Sequence, residues 1–157
     1  MAKVVMICGR ICSGKSTYSE KLCTESNAVL LSVDEIMLTV FGQNTGEKHD
    51  EYVRKVKEYL LKKIPELISV GVSVILDWGF WTRQERDFTK NFCKMRGIAC
   101  ELHYIDISDE VWKHRIKKRN ETESGGKSEF YFIDKALVEK FSSVFEIPDK
   151  SEIDVFI

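Results

Sequence analysis

The chain has 157 residues, 43% of them hydrophobic and 31% charged, with only 2 prolines; this suits one compact domain whose core needs no disulfide or metal staple. A formal net charge of -1 gives no global attraction to nucleic acid or anionic membrane, so any basic site must be local. The 5 cysteines are odd in number and form no C-x-x-C pair, and His49, His103 and His114 do not cluster with them at ligand spacing; reduced thiols without zinc are expected. The absence of a leader segment or an apolar run of membrane-spanning length points to a cytoplasmic location.

The first element is Val4 to Cys8, continuously apolar and partly β-branched, the pattern of a central parallel strand covered on both faces. It runs into Gly9-Arg10-Ile11-Cys12-Ser13-Gly14-Lys15-Ser16-Thr17, which has the spacing of a phosphate-binding P-loop. Glycines let the backbone turn tightly and bring N–H groups against phosphate oxygens. Lys15 would reach the β and γ phosphates, and the Ser16 hydroxyl would bind Mg²⁺. A helix from Ser16 to Cys23 would turn its positive N-terminal end to the anion. Gly9, Cys12, Ser13, Gly14, Lys15, Ser16 and Thr17 are thus the candidate nucleotide-binding residues.

Ala28 to Ser32 reads as a second strand ending at Asp34, followed by a short helix over Glu35 to Phe41 and a polar loop over Gly42 to Gly46. From Glu47, Val53, Val56, Leu60, Ile64, Leu67 and Ile68 repeat at helical spacing. Pro65 predicts a kink there or two successive helices. Val72 to Leu76 is a third apolar run ending in Asp77, and Thr82 is placed to cap a helix from Arg83 to Met95. A fourth strand over Ile98 to Ile105 is followed by a helix from Asp109 to Arg119, capped by Ser108. Asn120 to Phe132 carries Gly125-Gly126 and predicts a mobile loop. A helix over Ile133 to Val144 and a strand near Ile153 to Ile157 complete the alternation, which implies an α/β fold with a parallel sheet and helices on both faces.

Ligands in such sheets sit beyond the carboxyl ends of the strands, so Gly9, Asp34 and Asp77 should converge. Transfer of a phosphoryl group to an alcohol needs a base for the hydroxyl proton. Asp34 is the candidate, with helix capping as a compatible alternative role. Asp77 could orient the metal, with Ser16, or share the base role. Trp78 follows Asp77 where water-activating ATPases usually carry Glu, and there is no Asn-Lys-x-Asp guanine-reading segment. Arg115 and Arg119, one helical turn apart, could close on the triphosphate as part of a lid over 115–132, or form a solvated basic face with Lys113, Lys117 and Lys118. Asp77, Trp78, Arg83 and Arg86 are candidates for the acceptor side, where Trp78, Phe80 and Trp81 could stack on an aromatic acceptor or simply pack in the core. Arg83 and Arg86 also belong to a basic stripe with Lys90 and Lys94 that could face solvent.

The P-loop, Ser32-Val33-Asp34-Glu35, the segment Leu76-Asp77-Trp78-Gly79-Phe80-Trp81-Thr82-Arg83-x-x-Arg86-Asp87, Arg115-x-x-x-Arg119-Asn120 and Phe145-Glu146-x-Pro148-x-x-x-Glu152 together resemble small bacterial AAA_33-type P-loop proteins, kinases related to chloramphenicol phosphotransferase, zeta toxins and the polynucleotide kinase domain. The resemblance implies a three-layer α/β/α P-loop nucleoside triphosphate hydrolase fold with a five-stranded parallel sheet in the order 2-3-1-4-5. It also implies ATP with Mg²⁺, Asp34 as general base and Arg119, with Arg115, as lid arginine. One position departs: where the polynucleotide kinase pattern Asp-x-x-Arg has an acceptor-phosphate arginine, this chain has Met37. The expected function is an ATP-dependent kinase acting on a small-molecule hydroxyl. The alternatives are a polynucleotide or nucleoside kinase, and an ATPase or regulatory nucleotide-binding module.

Overall fold

The computed structural model describes residues 1–123 and 133–157. Strands β1 (Val4–Gly9), β2 (Ala28–Ser32), β3 (Ser73–Gly79), β4 (Cys100–Ile105) and β5 (Val155–Phe156) form one parallel sheet in the order β2-β3-β1-β4-β5. Six α-helices among the described residues connect them: α1 (Lys15–Glu25), α2 (Val33–Phe41), α3 (His49–Ser69), α4 (Arg83–Lys94), α5 (Asp109–Glu123) and α6 (Lys135–Val144). The sheet order is the one the resemblance implied.

β1 lies at the centre, buried along all six residues, and the two-residue strand period divides its side chains between two layers. Val4, Met6 and Cys8 pack with Val74, Leu76, Leu102, Ile64 of α3 and Cys93 of α4. Val5 and Ile7 pack on the opposite face with Ile75 and Ile105, beneath Tyr18 and Leu22 of α1. Each such large apolar side chain, when fully buried, contributes about 1.5–3 kcal/mol. A third cluster, Val33, Met37 and Leu60, seals α2 onto α3.

Several boundaries differ from the sequence expectation for identifiable reasons. Helix α3 runs unbroken through Pro65. Proline removes one backbone donor, but Leu60 and Ile64 remain buried in the core and hold the helix across that gap. β3 continues past Asp77 to Gly79; β4 begins at Cys100 rather than Ile98. α6 begins at Lys135, where Asp134 accepts a hydrogen bond from Leu137 N at 2.7 Å as N-cap. α5 extends to Glu123, so the start of the predicted loop is helical; the remainder of the proposed lid, 124–132, lies outside the described residues. Thr82 caps α4 as expected, in a reciprocal capping box with Glu85.

One irregularity bears on the site. Met6 pairs with Leu76 but Cys8 pairs with Gly79, so β3 carries one residue more than β1 at Asp77-Trp78. Bulges of this kind re-aim side chains at strand ends. Pairing with β2 stays regular through Ser32 and Asp77.

Candidate active site

The loop between β1 and α1 turns through left-handed backbone at Cys12 (φ 58°) and Gly14 (φ 98°). A Cβ on Gly9 would lie 2.7 Å from Ser13 Oγ and 2.9 Å from Ile105 O, so no side chain fits there. Gly14 precedes α1 with no side-chain cap, leaving first-turn N–H groups for a ligand. The loop is held from outside through its carbonyls: Trp112 Nε1 donates to Ile11 O at 2.8 Å and Arg115 Nη1 to Ser13 O at 2.7 Å. In a planar trans peptide the C=O and N–H point in opposite directions. Fixing these two carbonyls toward α5 therefore aims the N–H groups of Cys12 and Gly14 away from it, into the loop.

Lys15 Nζ donates to Gly9 O at 3.1 Å and Arg10 O at 2.7 Å. Burial pushes its pKa down, opposed by the carboxylates of Asp77 and Asp34, which places both aspartates within electrostatic reach of the ammonium. Ser13 Oγ is buried without a hydrogen-bond partner, an orphaned hydroxyl that a phosphate oxygen would satisfy. Thr17 is exposed on the first turn of α1. Burial pushes the Cys12 thiol up, opposed by the charges of Arg119, Lys15 and Arg115; the three cations thus converge on the loop.

Strand alternation explains the next contact. Ile75 faces α1, so Asp77, two residues on, faces α1 as well, and Ser16 Oγ donates to Asp77 Oδ2 at 3.0 Å. A hydroxyl and a carboxylate so joined suit Mg²⁺, which takes few protein oxygens and completes its octahedron with phosphates and water. No cluster of three or more His, Cys, Asp or Glu able to hold a metal exists among the described residues.

Asp34 lies in the first turn of α2, but the capping role belongs to Ser32, whose hydroxyl accepts from Glu35 N at 3.2 Å. The Asp34 carboxylate is therefore not committed to the helix end. Its side chain reaches solvent, yet the cleft walls strip away enough water to push its pKa up. The Asp77 charge adds to this, while Lys15, His49 and Lys57 oppose it.

The remaining candidates are engaged in packing and ion pairs. Trp78 donates Nε1–H to Leu31 O at 2.9 Å, stacks on Phe80 at 5.8 Å and packs between two core clusters. Phe80 is buried; Trp81 meets Phe141 edge to face at 5.0 Å. These rings are packing, not an open stacking platform. Arg86 is only 1% exposed and donates to Glu152 at 2.8 Å, Glu146 O at 2.9 Å and Phe80 O at 3.2 Å. Arg83 donates to Asp149 at 2.8 Å, and its backbone N–H to Glu146 Oε2 at 2.8 Å. Lys90 donates to Glu152 O. Arg83, Arg86 and Lys90 of α4 thus clamp the carboxyl-rich C-terminal segment; Arg86 is closed off inside this lock, whereas Arg83 is 55% exposed.

Two α5 residues with no role assigned from the sequence support the loop. Asp109 pairs with Arg10, and Trp112 lies under the Arg10 guanidinium at 5.0 Å. The spacing 109, 112, 115, 119 marks one helical face and was the available signal. His49 and Lys57, which act on Asp34, had no such signal.

A family model described as an AAA domain, AAA_33, matches residues 4–148. The chain belongs to the AAA_33 family. Shikimate kinase from Aquifex aeolicus (strain VF5) is 31% identical to it over 121 residues, 74% of this chain and 67% of that protein. Among solved structures, the Pnkp1/Rnl/Hen1 RNA repair complex matches with TM-score 0.67 and 25% identity over 90% of this chain and 43% of that one. A sugar kinase from Janibacter sp. HTCC2649 matches with TM-score 0.66 and 20% identity over 100% and 85%, a likeness of fold. With kinases as its relatives, this AAA_33 protein is a P-loop phosphotransferase. No helix among the described residues is long and apolar enough to cross a membrane.

Proposed function

We propose that this AAA_33 kinase, acting as a single domain, transfers the γ-phosphoryl group of ATP to a hydroxyl of a small molecule. The observation that carries the reading is the convergence of the uncommitted Asp34 carboxylate, Lys15 and the Ser16–Asp77 pair at the carboxyl ends of β1, β2 and β3. Gly9, Cys12, Ser13, Gly14 and Thr17 form or flank the triphosphate cradle; Lys15 neutralises its charge. Ser16 and Asp77 would hold Mg²⁺, which supplies charge neutralisation at the phosphates when bound. Asp34 accepts the acceptor hydroxyl proton as the new O–P bond forms, while the bond between the γ phosphorus and the bridging oxygen breaks and ADP leaves. Arg115 and Arg119 bring positive charge to the transferring group. Catalysis is chiefly positioning and electrostatics.

A nucleic acid acceptor is disfavoured by Met37. It is fully buried against Val33 and Leu60 where the polynucleotide kinase pattern has a phosphate-binding arginine. The test is a screen with [γ-³²P]ATP and Mg²⁺ against neutral alcohols, sugars, aminoglycosides, nucleosides and 5′-hydroxyl oligonucleotides, scoring labelled acceptor apart from free phosphate. Labelled small molecule is expected. Label on the oligonucleotide alone assigns a polynucleotide kinase; slow free phosphate alone assigns an ATPase or regulatory nucleotide binder.

A further inference from the structure

Asp34 marks where an acceptor hydroxyl must approach, and the charges around it constrain the rest of that molecule. The charged and titratable groups acting on it come from three other elements: Asp77 on β3, Lys15 on α1, and His49 and Lys57 on α3. Lys15 is occupied at the P-loop, where it faces Asp77 as well. Lys57 reaches across to the first turn of α4 and donates to Glu85 Oε1 at 2.7 Å. That pair is only partly exposed, 25% and 39%, so water screens it incompletely. The same carboxylate receives Thr82 N through its other oxygen, which fixes it in place. His49 is partly sheltered and has Nδ1 engaged by Thr45 Oγ1 at 2.7 Å.

Two further cations near the end of β3, Arg83 and Arg86, are matched by Asp149, Glu152 and the carbonyl of Glu146. The acceptor approach therefore carries the carboxylates Asp34, Asp77 and Glu85 beside cations that already have carboxylate or carbonyl partners. A phosphate or carboxylate on the acceptor would enter beside these carboxylates and next to a polyanionic triphosphate. It would have to displace Glu85 to gain Lys57.

Resting on the kinase reading above, we propose that the acceptor carries no anionic group: it is a neutral or cationic hydroxyl compound, such as a polyol or an amino alcohol, and the Lys57–Glu85 pair excludes its phosphorylated or carboxylated counterparts.

Glu85→Gln provides the test, because glutamine can retain the reciprocal helix cap while removing the charge that neutralises Lys57. ¹⁵N-labelled wild-type and Glu85→Gln proteins, saturated with AMP-PNP and Mg²⁺, are titrated with inorganic phosphate against a chloride control of equal ionic strength. The expected result is no saturable shift of the Asp34, His49 and Lys57 amides in the wild type and a saturable millimolar response in the variant, an affinity gain of roughly tenfold or more. Saturable millimolar binding in the wild type at those amides, or a variant that responds no better than wild type, overturns the proposal. The kinase reading is tested separately, by transfer from [γ-³²P]ATP to matched pairs: ribose against ribose 5-phosphate, and methyl shikimate against shikimate. Label entering only the anionic members overturns the acceptor assignment while leaving the kinase reading standing. Label entering the neutral members at roughly tenfold higher kcat/KM or more supports both.

Discussion

Glu152→Ala should weaken the fold more than any surface charge deletion. The Arg86 guanidinium is 1% exposed and the Glu152 side chain 8%, so removing the carboxylate leaves a cation shut inside the protein with two carbonyls, Phe80 O and Glu146 O, as its remaining hydrogen-bond partners. Breaking one side of a buried pair typically costs about 3–5 kcal/mol; the two surviving charge-assisted bonds favour the lower end, about 3 kcal/mol. The contact from Arg83 Nε to Glu152 Oε1 at 3.6 Å adds little, since Arg83 is over half exposed. For a domain of this length each kcal/mol moves the melting temperature by about 2–4 °C, so a fall of roughly 6–12 °C is expected. Urea unfolding of the nucleotide-free protein, followed by tryptophan fluorescence and far-UV circular dichroism together, measures the free energy. The double variant Arg86→Met, Glu152→Leu should lose less than Glu152→Ala alone, because it leaves no stranded charge. A single variant within about 1 kcal/mol of wild type, or a double variant worse than the single, would refute the assigned role of the pair.

Asp34→Asn should lower kcat by about 10²–10⁴-fold while calorimetry finds ATP affinity unchanged; transfer at the wild-type rate assigns the base elsewhere. Lys15→Met removes a charge-assisted contact to phosphate and should weaken ATP binding by about 10–150-fold; unchanged affinity would remove Lys15 from the cradle. Because burial pushes the Asp34 pKa up, and a base must be deprotonated, the acid limb of kcat/KM should lie above the ordinary aspartate value near ~4. Lys57→Gln removes an opposing cation and should move that limb further up; a downward move contradicts the placement. The linkage sign is the reverse of a salt-bridged aspartate: folding favours the protonated form, so this contribution is present at low pH and is lost as pH rises through the folded-state pKa. Asp34→Asn should therefore raise the neutral-pH melting temperature, and a fall would count against the shift. Trp112→Phe, which deletes the bond to Ile11 O at 2.8 Å, should weaken ATP binding several-fold. Equal affinity would show that α5 does not set the loop geometry.

The nucleotide side was readable because its chemistry is local: nine consecutive residues carry the loop, and one preceding apolar run carries the central strand. The caps at Thr82 and Ser108 were readable for the same reason. Asp34 was ambiguous because Ser32 and Asp34 are both good capping residues, and only the backbone at the start of α2 decides between them. The fate of Arg86 was hidden by distance. Its partner Glu152 is 66 residues away, so a residue on an α4 basic stripe became one of the most buried side chains of the molecule. The same lock joins two of the segments that carry the family resemblance, Leu76-to-Asp87 and Phe145-to-Glu152: they are two sides of one closure. The β3 bulge leaves no mark in the residue pattern, although it shifts the register of β3 against β1 beside Asp77 and Trp78.

The grip of α5 on the P-loop also changes how nucleotide affinity should be understood. Trp112 and Arg115 hold peptide oxygens, not phosphates, so the curvature of the loop depends on a helix about a hundred residues further along the chain. Loop shape and α5 docking form one thermodynamic unit: whatever favours the docked helix raises nucleotide affinity, and bound nucleotide stabilises the helix by the same factor. Substitutions on the 109-112-115 face can thus tune triphosphate binding while leaving the nine-residue motif untouched.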